Sequence, residues 1–127
     1  MEGQNEKTRN WSNWIEIPAN DFDRARTFYE AIFEIELQVL NLGDLKMGMF
    51  PHRGVGCAIC HGKHYQAGAS GPVVYLDANP DLLLVQNRIG PAGGEVLMPK
   101  KQISPEHGYM ALFTDPEGNR LALRSSK

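Results

Sequence analysis

Residues 57–64 read CAICHGKH, and two cysteines with two histidines in so short a span suggest two chemistries. C-x-x-C-H is the attachment signature of c-type haem, and a Cys/His cluster of this size could also hold zinc. Either use needs the donors on one side of the chain. If this stretch is a strand, side chains alternate across it, and Cys57 and Cys60, three residues apart, project to opposite faces. They then cannot clamp one metal or act as a redox pair. The other histidines are dispersed: His52 falls in a turn and His107 beside Gly108 in a loop, both reading as solvated loop residues. No G-x-S-x-G, Gly-rich phosphate loop or H-E-x-x-H occurs.

The segments that would position these residues repeat. Asn13–Pro18 (NWIEIP) mixes aromatic, β-branched and polar residues as a strand does. In the following segment Asn20 is placed to cap a helix in which Phe22, Ala25, Phe28, Tyr29 and Ile32 recur at helical spacing. Three strands are expected at Ile35–Asn41, Leu45–Phe50 and Val55–Cys60, with turns at Asn41–Asp44 and Pro51–Gly54. The second half runs in the same order: a strand at Pro72–Ala78, Asn79 as cap with Pro80 in the first turn, and a helix over Asp81–Ile89 ended by GPAGG. Strands at Glu95–Met98, Tyr109–Thr114 and Asn119–Arg124 complete it. WIEIPAND (14–21) lies over VVYLDANP (73–80) without a gap. MGMFPHRGVGCAIC (47–60) lies over ALFTDPEGNRLALR (111–124), setting Gly54 on Gly118 and Ala58 on Ala122.

Composition restricts the function. The 127 residues suit one domain with a real core, 42% are hydrophobic and 22% charged, and the formal net charge is −2. Acids and bases are interspersed, so nothing points to nucleic acid or an anionic membrane surface. No apolar run reaches the length of a membrane span. The polar opening MEGQNEKTRN lacks the apolar middle of a secretion signal. It reads as a flexible tail over residues 1–12, and the expected location is the cytoplasm, where both cysteines stay reduced.

With IEIPANDFDRARTFYEAIF (15–33), VGCAI (55–59), GPVVYLDA (71–78) and FTDPEGNRLAL (113–123), the chain resembles the vicinal oxygen chelate superfamily. That group holds glyoxalase I, bleomycin- and fosfomycin-resistance proteins and extradiol dioxygenases. The resemblance implies an α+β fold: a single domain over 13–127 in which two βαβββ modules, 13–64 and 71–127, form curved mixed sheets around a central cleft. Relatives that use a divalent metal take ligands from strands one and four of each half. The matching positions here are Trp14, Ala58, Val73 and Ala122, whose side chains cannot ligate a cation. The resemblance therefore implies no metal cofactor, and the activity of glyoxalase I does not transfer with the fold.

Residues sharing strand parity with those four positions are expected to face the cleft: Glu16, Cys60, Tyr75 and Arg124, with Arg120 nearer the start of its strand. Glu16 is the candidate general base or hydrogen-bond acceptor, partly buried, and Tyr75 is its repeat counterpart with a phenol to offer. An ion pair between Glu16 and Arg124 or Arg120 is the structural alternative. Trp14, Met47, Met49 and Phe113 could line the cleft or form ordinary core, and core is the better reading for the methionines. The acids of DPEGNR (115–120) serve a turn and not acid/base chemistry.

Three functions follow. The leading one is a glyoxalase/bleomycin-resistance-like protein that binds a small, partly apolar molecule with Trp14, Cys60, Phe113, Arg120 and Arg124, with Glu16 and Tyr75 as candidate catalytic groups of a metal-free lyase or isomerase. The second is a non-catalytic protein that sequesters an antibiotic-like compound. The third is a metal-dependent lyase or dioxygenase with relocated ligands among Glu16, His61 and His64. Members of the superfamily commonly pair, so a homodimer is expected, without nucleic-acid or membrane partners.

Overall fold

The computed structural model describes residues 7–127. Its elements, in chain order, are β1 (Trp14–Pro18), α1 (Phe22–Phe33), β2 (Gln38–Asn41), β3 (Leu45–Met49) and β4 (Gly56–Gly62). These are followed by β5 (Val74–Asp77), α2 (Leu82–Ile89), β6 (Glu95–Ser104), β7 (Gly108–Thr114) and β8 (Arg120–Ser125). The two four-stranded sheets have matching orders, β1-β4-β3-β2 and β5-β8-β7-β6. In each, the first strand runs parallel to the fourth and the remaining pairs are antiparallel. The α+β fold of two βαβββ modules is thus observed. The repeat extends to register: Glu16 pairs beside Ala58, and Tyr75 beside Ala122. Gly54 and Gly118, aligned in the repeat, both take positive φ, at 72° and 93°, a conformation that glycine adopts without a Cβ penalty. Residues 1–6 of the expected tail lie outside the described residues. Beyond them Trp11 is exposed, with the Arg9 guanidinium over its ring.

Helix α1 forms where the apolar spacing predicts, burying Phe22, Ala25, Phe28, Tyr29 and Ile32. Both helix caps differ from the expectation. Asp21, not Asn20, caps α1 by accepting the Arg24 N–H at 3.0 Å, because Asn20 accepts the Ala67 N–H instead. Asp81, not Asn79, caps α2 through the Leu83 N–H, and Asn79 is occupied by Ser126 near the C-terminus. Strand β2 starts at Gln38 and not Ile35, since residues 34–37 are taken by the helix end. Glu34 is left-handed there, and the Glu30 carboxylate receives the Leu37 N–H. Strand β6 continues past Met98 to Ser104. Register shifts let Pro99 sit in an edge strand, and Lys100 lies over the Tyr109 ring while bonding Asp81.

One face of each sheet joins the helices in a shared core. Ile17 and Ile59 from the first module meet Leu76, Phe113, Leu121 and Leu123 from the second, around Phe28, Tyr29, Leu82 and Ile89 of the helices. Among the described residues no helix is long and apolar enough to cross a membrane.

The modules are also joined by a polar network at the DPEGNR turn. The buried Asp115 carboxylate accepts from the Tyr29 hydroxyl at 2.7 Å, the Glu117 and Asn119 N–H groups at 2.9 Å, and the Asn119 side-chain amide at 3.0 Å. Glu117, also buried, accepts the Asp21 N–H at the start of α1 and pairs with Arg24. These acids are structural, as the sequence implied. A carboxylate can stay ionised out of water only when its lone pairs are met in this way.

Asp115→Ala is expected to destabilise the protein by about 3 kcal/mol or more in denaturant unfolding, because three or more charge-assisted bonds are lost and the Tyr29 hydroxyl is stranded. Tyr29→Phe should cost less, about 1–2 kcal/mol, since Asp115 keeps its other donors. Burial, then the neighbouring Asp115 charge, raises the Tyr29 pKa well above its ordinary value. A raised folded pKa means the native state holds its proton more tightly. The associated stability is complete below pH about 10 and lost as pH climbs through the folded pKa. Wild-type stability should therefore fall in strong alkali, and Tyr29→Phe should remove part of that fall.

Candidate functional site

A cleft of about 500 Å³ opens at the seam between the modules. Glu16 to Pro18 of β1 form one wall, Val74 and the segment Asn119–Leu121 form the opposite wall, and the linker at Gln66–Gly68, Ser70 and Pro72 contributes the rest. The linker is held by side chains from both modules: Asn20 accepts the Ala67 N–H and Asn119 accepts the Gly68 N–H at 3.1 Å. The Asn119 amide also donates to the Pro18 carbonyl at 2.7 Å. The residue that orders the DPEGNR turn thus also spaces the cleft walls.

Glu16 presents its carboxylate on β1 with both oxygens engaged. The Tyr65 hydroxyl donates to Oε1 at 2.6 Å and the Trp14 indole N–H to Oε2 at 3.2 Å. Tyr65 follows the turn that leaves β4, its N–H bonded to the Gly62 carbonyl. Trp14 is seated edge-on to His52, with ring centroids 5.7 Å apart, and its ring crosses so close to Gly56 that a Cβ there would strike both rings. The Tyr65 phenol is pushed up to about 12, chiefly because ionisation would forfeit its hydrogen bond to Glu16. It is a neutral donor across the physiological range. Cys60 is buried beside this pair, and burial followed by the Glu16 charge pushes its thiol up to about 12. It is not a thiolate nucleophile.

On the facing wall the Arg120 guanidinium donates Nη2–H to the Gly71 carbonyl at 2.9 Å. Its Nε is buried without a partner. The cleft lining thus combines an acceptor carboxylate with an attendant phenol, a cation, and the apolar Pro18, Pro72, Val74 and Leu121.

The structure brings Glu16, Trp14 and Cys60 together and sets Arg120 across the same cleft. It disperses the other expected site residues. Tyr75 lines a second depression of about 460 Å³ with Phe50, His52 and Asp77, its hydroxyl near the Met110 sulfur at 3.9 Å. Arg124 borders a third, donating to the His107 carbonyl at 3.0 Å. Phe113 is fully buried and packs on Phe28, because its position on β7 points to the helices. Glu16 is exposed rather than partly buried, and among the described residues it pairs with neither Arg120 nor Arg124, since Tyr65 and Trp14 occupy it instead. Tyr65 was absent from the expectation. It follows CAICHGKH directly, but its contact spans 49 positions, and no local periodicity reports that.

Trp14, Ala58, Val73 and Ala122, which the resemblance matched to ligand positions, carry no metal-ligating side chain, and among the described residues no three His, Cys, Asp or Glu side chains converge. Of the relocated candidates, His61 has its Nδ1 on the Ala19 carbonyl at 2.9 Å. Within C-x-x-C-H, Cys57 packs against the core with its thiol raised to about 12 by burial, while Cys60 lies by Glu16. The two faces differ, as strand alternation requires.

Residues 11–123 match the family model of the Glyoxalase/Bleomycin resistance protein/Dioxygenase superfamily. No curated protein matches. Among solved structures, a glyoxalase/bleomycin resistance protein from Albidiferax ferrireducens T118 is similar with a TM-score of 0.72 at 16% identity, over 90% of this chain and 97% of that one. A glyoxalase-related enzyme from Fulvimarina pelagi gives 0.70 at 15% identity, over 92% and 88%. A V278E mutant of glyoxalase I from Zea mays gives 0.68 at 15% identity, over 89% of this chain but 45% of that one. At such identities the likeness concerns the fold.

Glu16→Gln replaces the carboxylate acceptor that holds the Tyr65 proton with a weaker, neutral one. Its phenol should then titrate below about 12, toward the ordinary tyrosine value. Ultraviolet titration against a Tyr65→Phe control isolates that phenol, and an unchanged Tyr65 titration would refute the coupling.

Proposed function

From the premise that this chain belongs to the glyoxalase/bleomycin resistance protein/dioxygenase superfamily, we propose that it binds a small, partly apolar molecule in the seam cleft and exchanges a proton with it through Glu16, without a divalent metal. One observation carries this reading. An exposed carboxylate stands in a cleft of ligand size, oriented through both oxygens by Tyr65 and Trp14. In a lyase- or isomerase-type step, Glu16 takes a proton from a carbon next to a carbonyl, and the electron pair moves onto the carbonyl oxygen. On a 2-hydroxy ketone the hydroxyl proton passes to that oxygen, the hydroxyl-bearing carbon becomes the new carbonyl, and Glu16 returns its proton to the former carbonyl carbon, so no oxidant or further reactant is needed. Glu16 touches the reacting proton in this scheme, whereas Tyr65 and Trp14 are positioning residues.

A second reading, sequestration of an antibiotic-like compound without chemistry, is favoured by the fact that both Glu16 oxygens already have donors from this chain. In the proposed cellular form the protein is a cytoplasmic homodimer. Trp14 and Tyr75, 36% and 49% exposed, lie on sheet faces turned away from the core, and such rings suit a subunit interface.

Deuterium exchange into small 2-hydroxy ketones, followed by NMR, tests the chemistry. Wild type should exchange the proton next to the carbonyl, and Glu16→Gln should lose about a hundredfold to ten-thousandfold in rate. Binding without exchange in either form supports sequestration instead. Stoichiometric zinc, nickel, manganese or iron in protein purified without chelator would overturn the metal-free reading.

A further inference from the structure

Arg120 is the unexplained charge of the cleft. Among the described residues no carboxylate pairs with it. Of its three guanidinium nitrogens only Nη2 is engaged, by a neutral backbone carbonyl, and Nε is buried with no acceptor at all. The buried Nε is closed to the cleft, so the donors Arg120 can offer a ligand are those of its two terminal nitrogens. The Gly71 bond does not neutralise the group but does orient it, fixing the plane of the fork at the cleft wall. A planar fork of oriented donors matches the two oxygens of a carboxylate better than a single carbonyl or hydroxyl.

The opposite wall imposes the complementary demand. Glu16 offers only acceptor oxygens, so a ligand group reaching it must donate, and a second anionic group there would be repelled. The rest of the lining is mixed, with Pro18, Pro72, Val74 and Leu121 beside the polar Gln66, Ser70 and Asn119. From these facts we infer that the ligand of the seam cleft is a small, partly apolar carboxylate that also carries a hydrogen-bond donor, hydroxyl or ammonium, apart from its carboxylate. This rests on the reading of the cleft as the ligand site. Arg120 takes the carboxylate and Glu16 the donor, so the cleft selects both the ligand's charge and its direction.

Three probes separate the requirements: 4-hydroxyphenylacetate, its methyl ester, and phenylacetate, which lacks the distal hydroxyl. Calorimetry gives the affinities, and amide NMR shifts of residues 66–72 report the place of binding. Wild type should bind the hydroxy acid about tenfold or more tighter than the ester, the loss expected when a charge-assisted fork is removed. Phenylacetate should bind more weakly than the hydroxy acid, and Glu16→Gln should narrow that difference. Arg120→Gln should make acid and ester equal, and Arg120→Lys should retain part of the acid preference. The acid-to-ester ratio in wild type is decisive even where the Arg120 variants fold poorly, which circular dichroism will show. Equal binding of acid and ester with shifts in residues 66–72 overturns the carboxylate inference and leaves the cleft a ligand site. Binding of no probe, or shifts only elsewhere, overturns both.

Discussion

The buried carboxylate of Asp115 is the interaction on which the assembly of the two modules depends. It collects the Tyr29 hydroxyl from the first helix and the backbone and side chain of Asn119 from its own turn. Through Asn119 it reaches the Pro18 carbonyl at the end of β1 and the Gly68 N–H of the linker. Two residues away Glu117 draws in the start of α1 through the Asp21 N–H and Arg24. Apolar packing alone fixes the relative placement of two sheets loosely, because it is not directional. A buried carboxylate that must satisfy its lone pairs admits few arrangements. The DPEGNR turn therefore sets the width of the seam.

That seam is where the chemistry-bearing residues gather, and its asymmetry is instructive. Duplicated modules place Glu16 and Tyr75 at equivalent register positions, beside Ala58 and Ala122. Yet the first lies in the seam cleft and the second in a separate depression of more apolar character. The difference arises from the linker. Residues 66–72 follow the first module and wall only the Glu16 side, bringing Tyr65 to its carboxylate. A repeat in sequence thus produces a single polarised cleft.

Much of the architecture was legible. The helical spacing of Phe22 to Ile32 located α1, alternation separated Cys57 from Cys60, and the ungapped overlay of the halves anticipated register partners that the sheets reproduce. Errors came where side chains compete for the same backbone groups. Asn20 and Asn79 are each good caps, but tertiary partners claimed them and the adjacent aspartates took over. Strand β6 runs past the expected Met98 through Pro99, which an edge strand with register shifts tolerates. Phe113 was assigned to the cleft as one option and proved to be core, since its parity on β7 faces the helices.

What the residue order settles here is periodic and local: two βαβββ units and their buried faces. Each of these follows from the repeat of 3.6 or 2 residues. The meeting of Tyr65 with Glu16, the isolation of Arg120 across the cleft, and the separation of Tyr75 and Arg124 from both are different in kind. They depend on how far apart two packed sheets come to rest and on the path a linker takes between them. That geometry comes from contacts spanning tens of residues, which leave no periodic trace along the chain.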